Sequence, residues 1–259
     1  MSYELKGCLP RLSEFATYCP ALADQVVLYT DEEIAELLDA GQGSVMIPFI
    51  PITLDQKSDK SCASAATTGG THLAYSLTGN PCDELNHLSL YHYVKGSQRA
   101  RDGGGSNIDA NLRHARDVGI LREAIYPQSA GHMKAPPKEL METEAPKHRI
   151  HEFLDVNEQA DWRRELVTAL LSPFPTIFGL RGHAVDGVGV LRDPADPTTL
   201  RKLRIVYHNS WDGSPAPWNP WMCPEYPDIT GLGWVPIDWI EAKYGLFAIR
   251  TTVDGRGEP

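Results

Sequence analysis

No run of this chain approaches the roughly 20 consecutive apolar residues that cross a bilayer. The opening "MSYELKGCLPRLSEF" also lacks the basic-then-apolar pattern of a secretory signal. An intracellular, cytoplasmic protein is therefore expected. Cysteine is scarce and odd in number: Cys8, Cys19, Cys62, Cys82 and Cys223, with no C-x-x-C pair. That argues against both a disulfide framework and a zinc ribbon, and at least one free thiol is expected. There is no basic cluster either. Lys and Arg number 24 against 34 Asp and Glu, a net charge of -10, so nucleic acid and anionic membrane are not expected partners. His72, His87, His92 and His114 share no metal-ligand spacing, and no metal or cofactor is expected. Internal repeats and low-complexity tracts are absent. "GGGS" (Gly103 to Ser106) has neither the preceding strand nor the following lysine of a phosphate loop, and reads as a turn into a capped helix.

What is present suits a folded globular chain: 259 residues, 42% of them hydrophobic, enough for one large domain or two lobes. Thr30 and Glu33 have capping-box spacing before "EEIAELLDAG", in which Ile34, Leu37 and Leu38 share a face and Gly41 ends the helix. "SVMIPFIPITL" (Ser44 to Leu54) reads as an extended edge segment. From Ser61 to about Leu77 the pattern is helical, with Ser61 or Asp59 as cap. Gly69 and Gly70 inside it each cost about 1 kcal/mol, so they point to a neighbour that comes close. "ELNHLSLYHYV" (Glu84 to Val94) reads as a further helix, and another is capped by Ser106 with Asp109, lined by Ile108, Leu112 and Ala115, and stopped by Gly119. A proline-rich connector from Ala130 to Pro146 precedes a helix near Glu158 to Leu171. Beyond it, "TIFGL", "HAVDGVGVL", "LRIVYHNSW" and "GLFAIR" are short β-rich runs between Pro, Gly and Asp turns, the pattern of an antiparallel sheet or barrel.

One thiol stands apart. Cys62 opens the small-residue helix "CASAATTGG", where unpaired amides and the positive end of the helix dipole favour a thiolate. A thiolate nucleophile needs a cationic partner that can also protonate a leaving group, which near neutral pH means histidine. His183 in "LRGHAVDGVGVL" opens a strand facing that helix. Its ring in turn needs a neutral acceptor, and Asn209 in "YHNSWDG" ends the next strand, with Trp211 two residues on to shield the bond from water. Taken singly, each residue has a plainer reading. A lone cysteine in an Ala-rich helix is more often a buried small hydrophobe. Asp186, isolated in an apolar strand, reads as a buried structural acid in preference to a residue of the cleft floor.

The segments "QKSDKSC", "GHAVDGVGV" and "HNSW", in this order, resemble the papain-like cysteine peptidases. The likeness extends through "LSLYHYV", "GGGSNIDANLRHARDVGILREAIYP" and "GLGWVPIDWI...YGLFAIR", roughly Leu54 to Arg250. It implies an α+β, two-lobed fold with a helical first lobe (about 55–150) and an antiparallel β second lobe (about 151–250). Residues 1–50 would be a packed extension or a short pro-segment, and 251–259 a flexible tail. It implies a peptidase acting on peptide or protein substrates, with Cys62 as nucleophile, His183 as acid and base, and Asn209 orienting the imidazole. Gln56, 62 − 56 = 6 positions before the nucleophile, would supply the oxyanion hole together with the Cys62 amide.

The chain departs from the family pattern at several points. Ala63 replaces the aromatic residue after the nucleophile, Asp59 replaces a disulfide-forming cysteine, and Gly182 precedes the histidine. Only one strand fits between Leu171 and His183, and Gly213 to Ile229 reads as an insertion. Two alternatives stay open: an amidase or transamidase in which a second amine resolves the thioester, and a catalytically silent binding or structural protein.

Overall fold

In a computed structural model, the residues described are 8–11, 19–48, 54–56, 60–79, 82–97, 104–127, 135–156, 161–193, 200–210 and 231–253. Near the N-terminus, α1 (Leu22–Gln25) is followed by α2 (Asp31–Ala40). The capping box of α2 forms as its spacing predicts: the Thr30 hydroxyl accepts from Glu33 N–H at 3.2 Å, and the Thr30 N–H donates to the Glu33 carboxylate at 2.8 Å. Ile34 and Leu38 bury, whereas Leu37 lies on the shoulder of the apolar stripe and stays exposed. Strand β1 (Ser44–Met46) then pairs with a later strand, and 49–53, the middle of the predicted extended segment, lie outside the described residues.

Helix α3 (Cys62–Leu77) is buried from Cys62 to Tyr75, on every side, which is why its residues are small. Gly69 and Gly70 have the close neighbours their sequence implies. A methyl on Gly69 would lie 3.0–3.2 Å from the Asp186 carboxylate, and one on Gly70 would lie 3.1 Å from Ile249 Cδ1. Around α3 stand α4 (His87–Ser97) and α5 (Ile108–Asp117). The N-cap of α5 is Asn107, not Ser106, and neither Ser106 nor Asp109 forms the predicted capping box. The Ser106 hydroxyl is engaged instead by Asn111 Nδ2 at 2.8 Å. A short α6 (Lys138–Thr143) lies inside the stretch read as a proline-rich connector, and α7 (Trp162–Leu171) matches the later part of the helix expected near Glu158 to Leu171, of which 158–160 lie outside the described residues.

The strands β2 (Arg149–Asp155), β3 (Thr176–Leu180), β4 (His183–Leu191), β5 (Arg204–His208), β6 (Leu232–Pro236) and β7 (Leu246–Val253) form an antiparallel sheet in the order β2-β7-β3-β4-β5-β6. β1 joins it against Gly189–Leu191 of β4. Because alternate residues point to opposite faces, the sheet carries two cores. Ile177, Ala184, Phe247 and Ile249 face the α3–α5 helices, while Phe178, Val185, Leu246 and Ala248 face α7 and α2. The result is a helical lobe and a β lobe sharing one sheet, as the sequence predicts. β2 and β6 were not read from the sequence as strands. Thr251 and Thr252, expected in a flexible tail, extend β7 in pairing with β2 instead, and 254–259 lie outside the described residues. Among the described residues no helix is long and apolar enough to cross a membrane.

The end of α5 depends on Gly119, which adopts φ +105 and whose Cα faces the Ala145 carbonyl closely enough that a Cβ would collide with it. Gly119→Ala combines a left-handed backbone with a backbone clash and is expected to cost about 3 kcal/mol. Thr30→Ala, which loses only a cap, is expected to cost about 1 kcal/mol. Urea midpoints of the two variants, read side by side, check this order.

Candidate active site

The nucleophile candidate sits where the helix amides converge. The backbone amides of Ala184 in β4 and of Ala63 and Cys62 in α3 lie close enough to the Cys62 sulfur to pull its thiol down. These three donors each favour the thiolate. Burial works against them and prevails: Cys62 is 1% exposed, and its thiol is pushed up to about 11. The sequence-based expectation of a lowered thiol therefore holds for the local amides but not for the residue in this fully covered state.

His183 opens β4 directly before Ala184, so the strand that donates to the sulfur also carries the imidazole. Asn209 follows β5, which pairs with β4, and His183 Nε2 lies 2.9 Å from Asn209 Oδ1. Asn209 Oδ1 also accepts the Ser210 N–H at 2.9 Å. An oxygen that accepts a backbone N–H fixes the amide's orientation, so His183 Nε2 must be the donor and Nδ1 the basic nitrogen of the neutral ring. Burial holds His183 down at about 4, with the Asn209 bond opposing in part.

Gln56 is held by the residue after Asn209. Its backbone N–H donates to the Ser210 carbonyl at 2.8 Å, and its side-chain Oε1 accepts from Ser210 Oγ at 2.6 Å. With Oε1 engaged as acceptor, Gln56 presents its Nε2 amide as a donor. Ser210 had no role in the reading of the sequence, although it lies inside "HNSW". Its partner is 154 positions away, so no local pattern reveals it. A second buried chain joins α3 to α5 within the helical lobe: Ser64 Oγ donates to Asn111 Oδ1 at 2.6 Å, and Asn111 Nδ2 donates to Ser106 Oγ at 2.8 Å.

A strap from the N-terminal segment runs over this region. The Cys8 N–H donates to the Gly182 carbonyl at 2.8 Å, beside His183, and the Leu9 N–H donates to the Ser106 carbonyl at 3.1 Å. Asn107 Nδ2 donates to the Pro10 carbonyl, and Arg11 forms a two-pronged pair with Asp155, both bonds 2.7 Å. Cys8 is buried in the same apolar cluster as Cys62 and Ala184. The strap thus spans residues of both lobes.

The remaining candidates fall elsewhere. Asp186 is buried against Gly69 and near His208. His72 is a satisfied core histidine whose Nε2 accepts the Leu85 N–H at 2.8 Å. Cys8, Cys19 and Cys82 are free thiols, while Trp211, Asp59, Cys223 and the 213–229 stretch lie outside the described residues. Among the described residues no three His, Cys, Asp or Glu side chains gather as metal ligands.

No protein-family model and no curated protein sequence matches the chain. Solved structures do match. Xylellain, a cysteine protease from Xylella fastidiosa, superposes with a TM-score of 0.67 at 16% identity, covering 97% of this chain and 98% of that one. The chain has the papain-like cysteine protease fold. Digestive procathepsin L 3 of Tenebrio molitor superposes with a TM-score of 0.64 at 14% identity, over 94% of this chain and 76% of that one. Bromelain protease from Ananas comosus gives 0.56 at 13% identity, over 81% and 99%. The start of α3 lies against the start of β4, and the pairing of β4 with β5 places Asn209 beside His183, so Cys62, His183 and Asn209 come from three separate parts of the chain.

The buried imidazole gives a pH signature. An unfolded histidine binds a proton below about 6.5, whereas His183 stays neutral down to about 4. Stability is therefore complete above pH 6.5 and is lost as pH falls through this window, by on the order of 3 kcal/mol for the full shift. His72, also lowered to about 4 by burial and by the nearby His148, adds a loss of the same sign. Urea midpoints are expected to fall steadily between pH 6.5 and 4, with a shallower slope in His183→Asn than in the native chain.

Proposed function

We propose that the chain is a cysteine peptidase that hydrolyses peptide bonds through a thioester, with Cys62, His183, Asn209 and Gln56 as its working residues. The observation that carries this reading is the doubly held Asn209 Oδ1, which accepts from both His183 Nε2 and Ser210 N–H. It leaves Nδ1 as the basic nitrogen of an imidazole borne by the strand whose next amide acts on the Cys62 thiol to lower it.

In this mechanism Cys62 passes its proton to His183 and its sulfur attacks the scissile carbonyl carbon. The negative charge moves onto the carbonyl oxygen, where the Cys62 N–H and the Gln56 Nε2–H donate to it. The C–N bond then breaks, His183 gives its proton to the departing amine, and the acyl group remains on sulfur. A water molecule, deprotonated by His183, attacks the thioester and releases the acid and the thiol. Peptides and proteins are the substrates of this reading, in keeping with the cysteine proteases that share the fold.

The strap makes the covered form a latent one. Burial sets the thiol at about 11 and the imidazole at about 4, so in that state both are neutral near pH 7 and no ion pair forms. Moving residues 8–11 away lets water reach both groups and restores the bias of the three amides toward the thiolate.

A fluorogenic peptide library tests the reading. Arg11→Ala removes the strap's anchor on Asp155 and is expected to raise both peptide hydrolysis and Cys62 alkylation at pH 7, by about tenfold or more. In that background Cys62→Ala is expected to abolish turnover, and Gln56→Ala to lower kcat by about 100-fold. Turnover that survives Cys62→Ala overturns the assignment. A Cys62 that alkylates only near pH 11 with the strap loosened leaves a binding protein as the reading.

A further inference from the structure

We propose that Asp186 and His208 are a positioning pair that sets the strand bearing His183 in register with the strand end bearing Asn209, and seats both against the helix that carries Cys62. The inference rests on the catalytic roles proposed above. Asp186 lies three residues along β4 from His183, and His208 immediately precedes Asn209. The two are direct partners across the β4–β5 ladder. Both are almost wholly buried, and Asp186 Oδ2 lies 3.6 Å from His208 Nδ1.

The ladder explains why the site needs such a pair. Residues 189–191 of β4 pair with 206–204 in one register, but a bulge at Val188 shifts it. On the catalytic side of the bulge only two rungs remain, Asp186 with His208 and Gly187 with Tyr207. Register enforced farther along the strands is thus interrupted before it reaches the site. A slip of one residue here would turn side chains to the wrong face and separate Asn209 from His183. One of the two remaining rungs, Gly187, contributes no side chain, so the specific contact falls to Asp186 and His208.

The same carboxylate faces a third element. A methyl group on Gly69 of α3 would sit 3.0–3.2 Å from it, so the acid lies directly on the helix backbone. Gly69 is seven residues, about 10 Å of helix rise, from Cys62. Asp186 Oδ2 has no hydrogen-bond partner among the described residues. A buried acid whose Oδ2 reaches only a 3.6 Å approach to an imidazole is a poor choice for stability, since apolar residues of like volume serve that end as well. Its value lies in geometry: one acid that touches β5 and α3 fixes the relative placement of all three elements.

The test reads the His183 Nε2 proton, which Asn209 holds, in 15N-histidine-labelled full-length protein. Asp186→Asn and His208→Gln are each expected to speed its solvent exchange at least tenfold, with the fold retained by near-UV circular dichroism. In the Arg11→Ala background each is expected to lower kcat about tenfold with KM changed less than twofold. Because the residues act as one unit, the double variant is expected to be no worse than either single. Gly69→Ala keeps both residues and crowds the carboxylate; it is expected to speed exchange as well, and it serves if either single variant fails to fold. Exchange at the native rate in the folded variants overturns the proposal, and so do single effects that multiply in the double. Faster exchange in a protein that cleaves no peptide leaves the pair standing and removes the peptidase reading instead.

Discussion

The close packing of α3 on β4 is the constraint on which the rest of the structure depends. A helix can bring its N-terminal thiol against a strand amide only if its side chains are small along the whole contact. "CASAATTGG" meets that need at the cost of two glycines inside the helix. In return, the Cys62 sulfur meets the Ala184 N–H, and Gly69 and Gly70 accept Asp186 and Ile249. Helix, imidazole strand and the asparagine bonded to that imidazole are then fixed relative to one another, which is the preorganisation that the proposed chemistry relies on.

That close packing also has an electrostatic consequence. The dry interface that aligns the groups opposes their ionisation, so the sulfur is raised and the imidazole lowered. The helix amides and the Asn209 bond act in the opposite direction but are outweighed while the site is covered. In the proposed mechanism, access of water through movement of the 8–11 strap decides which influence governs. In this account, latency and activity are two solvation states of one arrangement.

Much of this was legible in the sequence because the informative features are local. The capping box of Thr30 and Glu33, the small-residue helix, the alternating β-rich runs and the order of "QKSDKSC", "GHAVDGVGV" and "HNSW" each span only a few residues. What was not legible depends on distant partners. Ser210 gains its role only when Gln56 arrives beside it, and the structural reading of Asp186 becomes specific only with Gly69 and His208 in place. β2 and β6 escaped notice because their strand character comes from pairing with β7 and β5, not from a clean alternation of their own. The Ser106 cap failed because Asn111 competes for its hydroxyl. The depth of Cys62 was missed because it comes from packing against distant parts of the chain, Cys8 and Ala184 among them, that no local pattern reveals.

The most direct test of the central claim, that Cys62 and His183 work as one unit on a carbonyl, is to look for the acyl group itself. A peptidyl ester is added to the strap-loosened protein, the reaction is quenched in acid, and the intact protein and its peptides are weighed. The account predicts one acyl group per chain, located on Cys62, which disappears by hydrolysis on longer incubation and does not form in His183→Ala. A folded protein that acquires no acyl group on Cys62, or one that acylates equally well without His183, would contradict it.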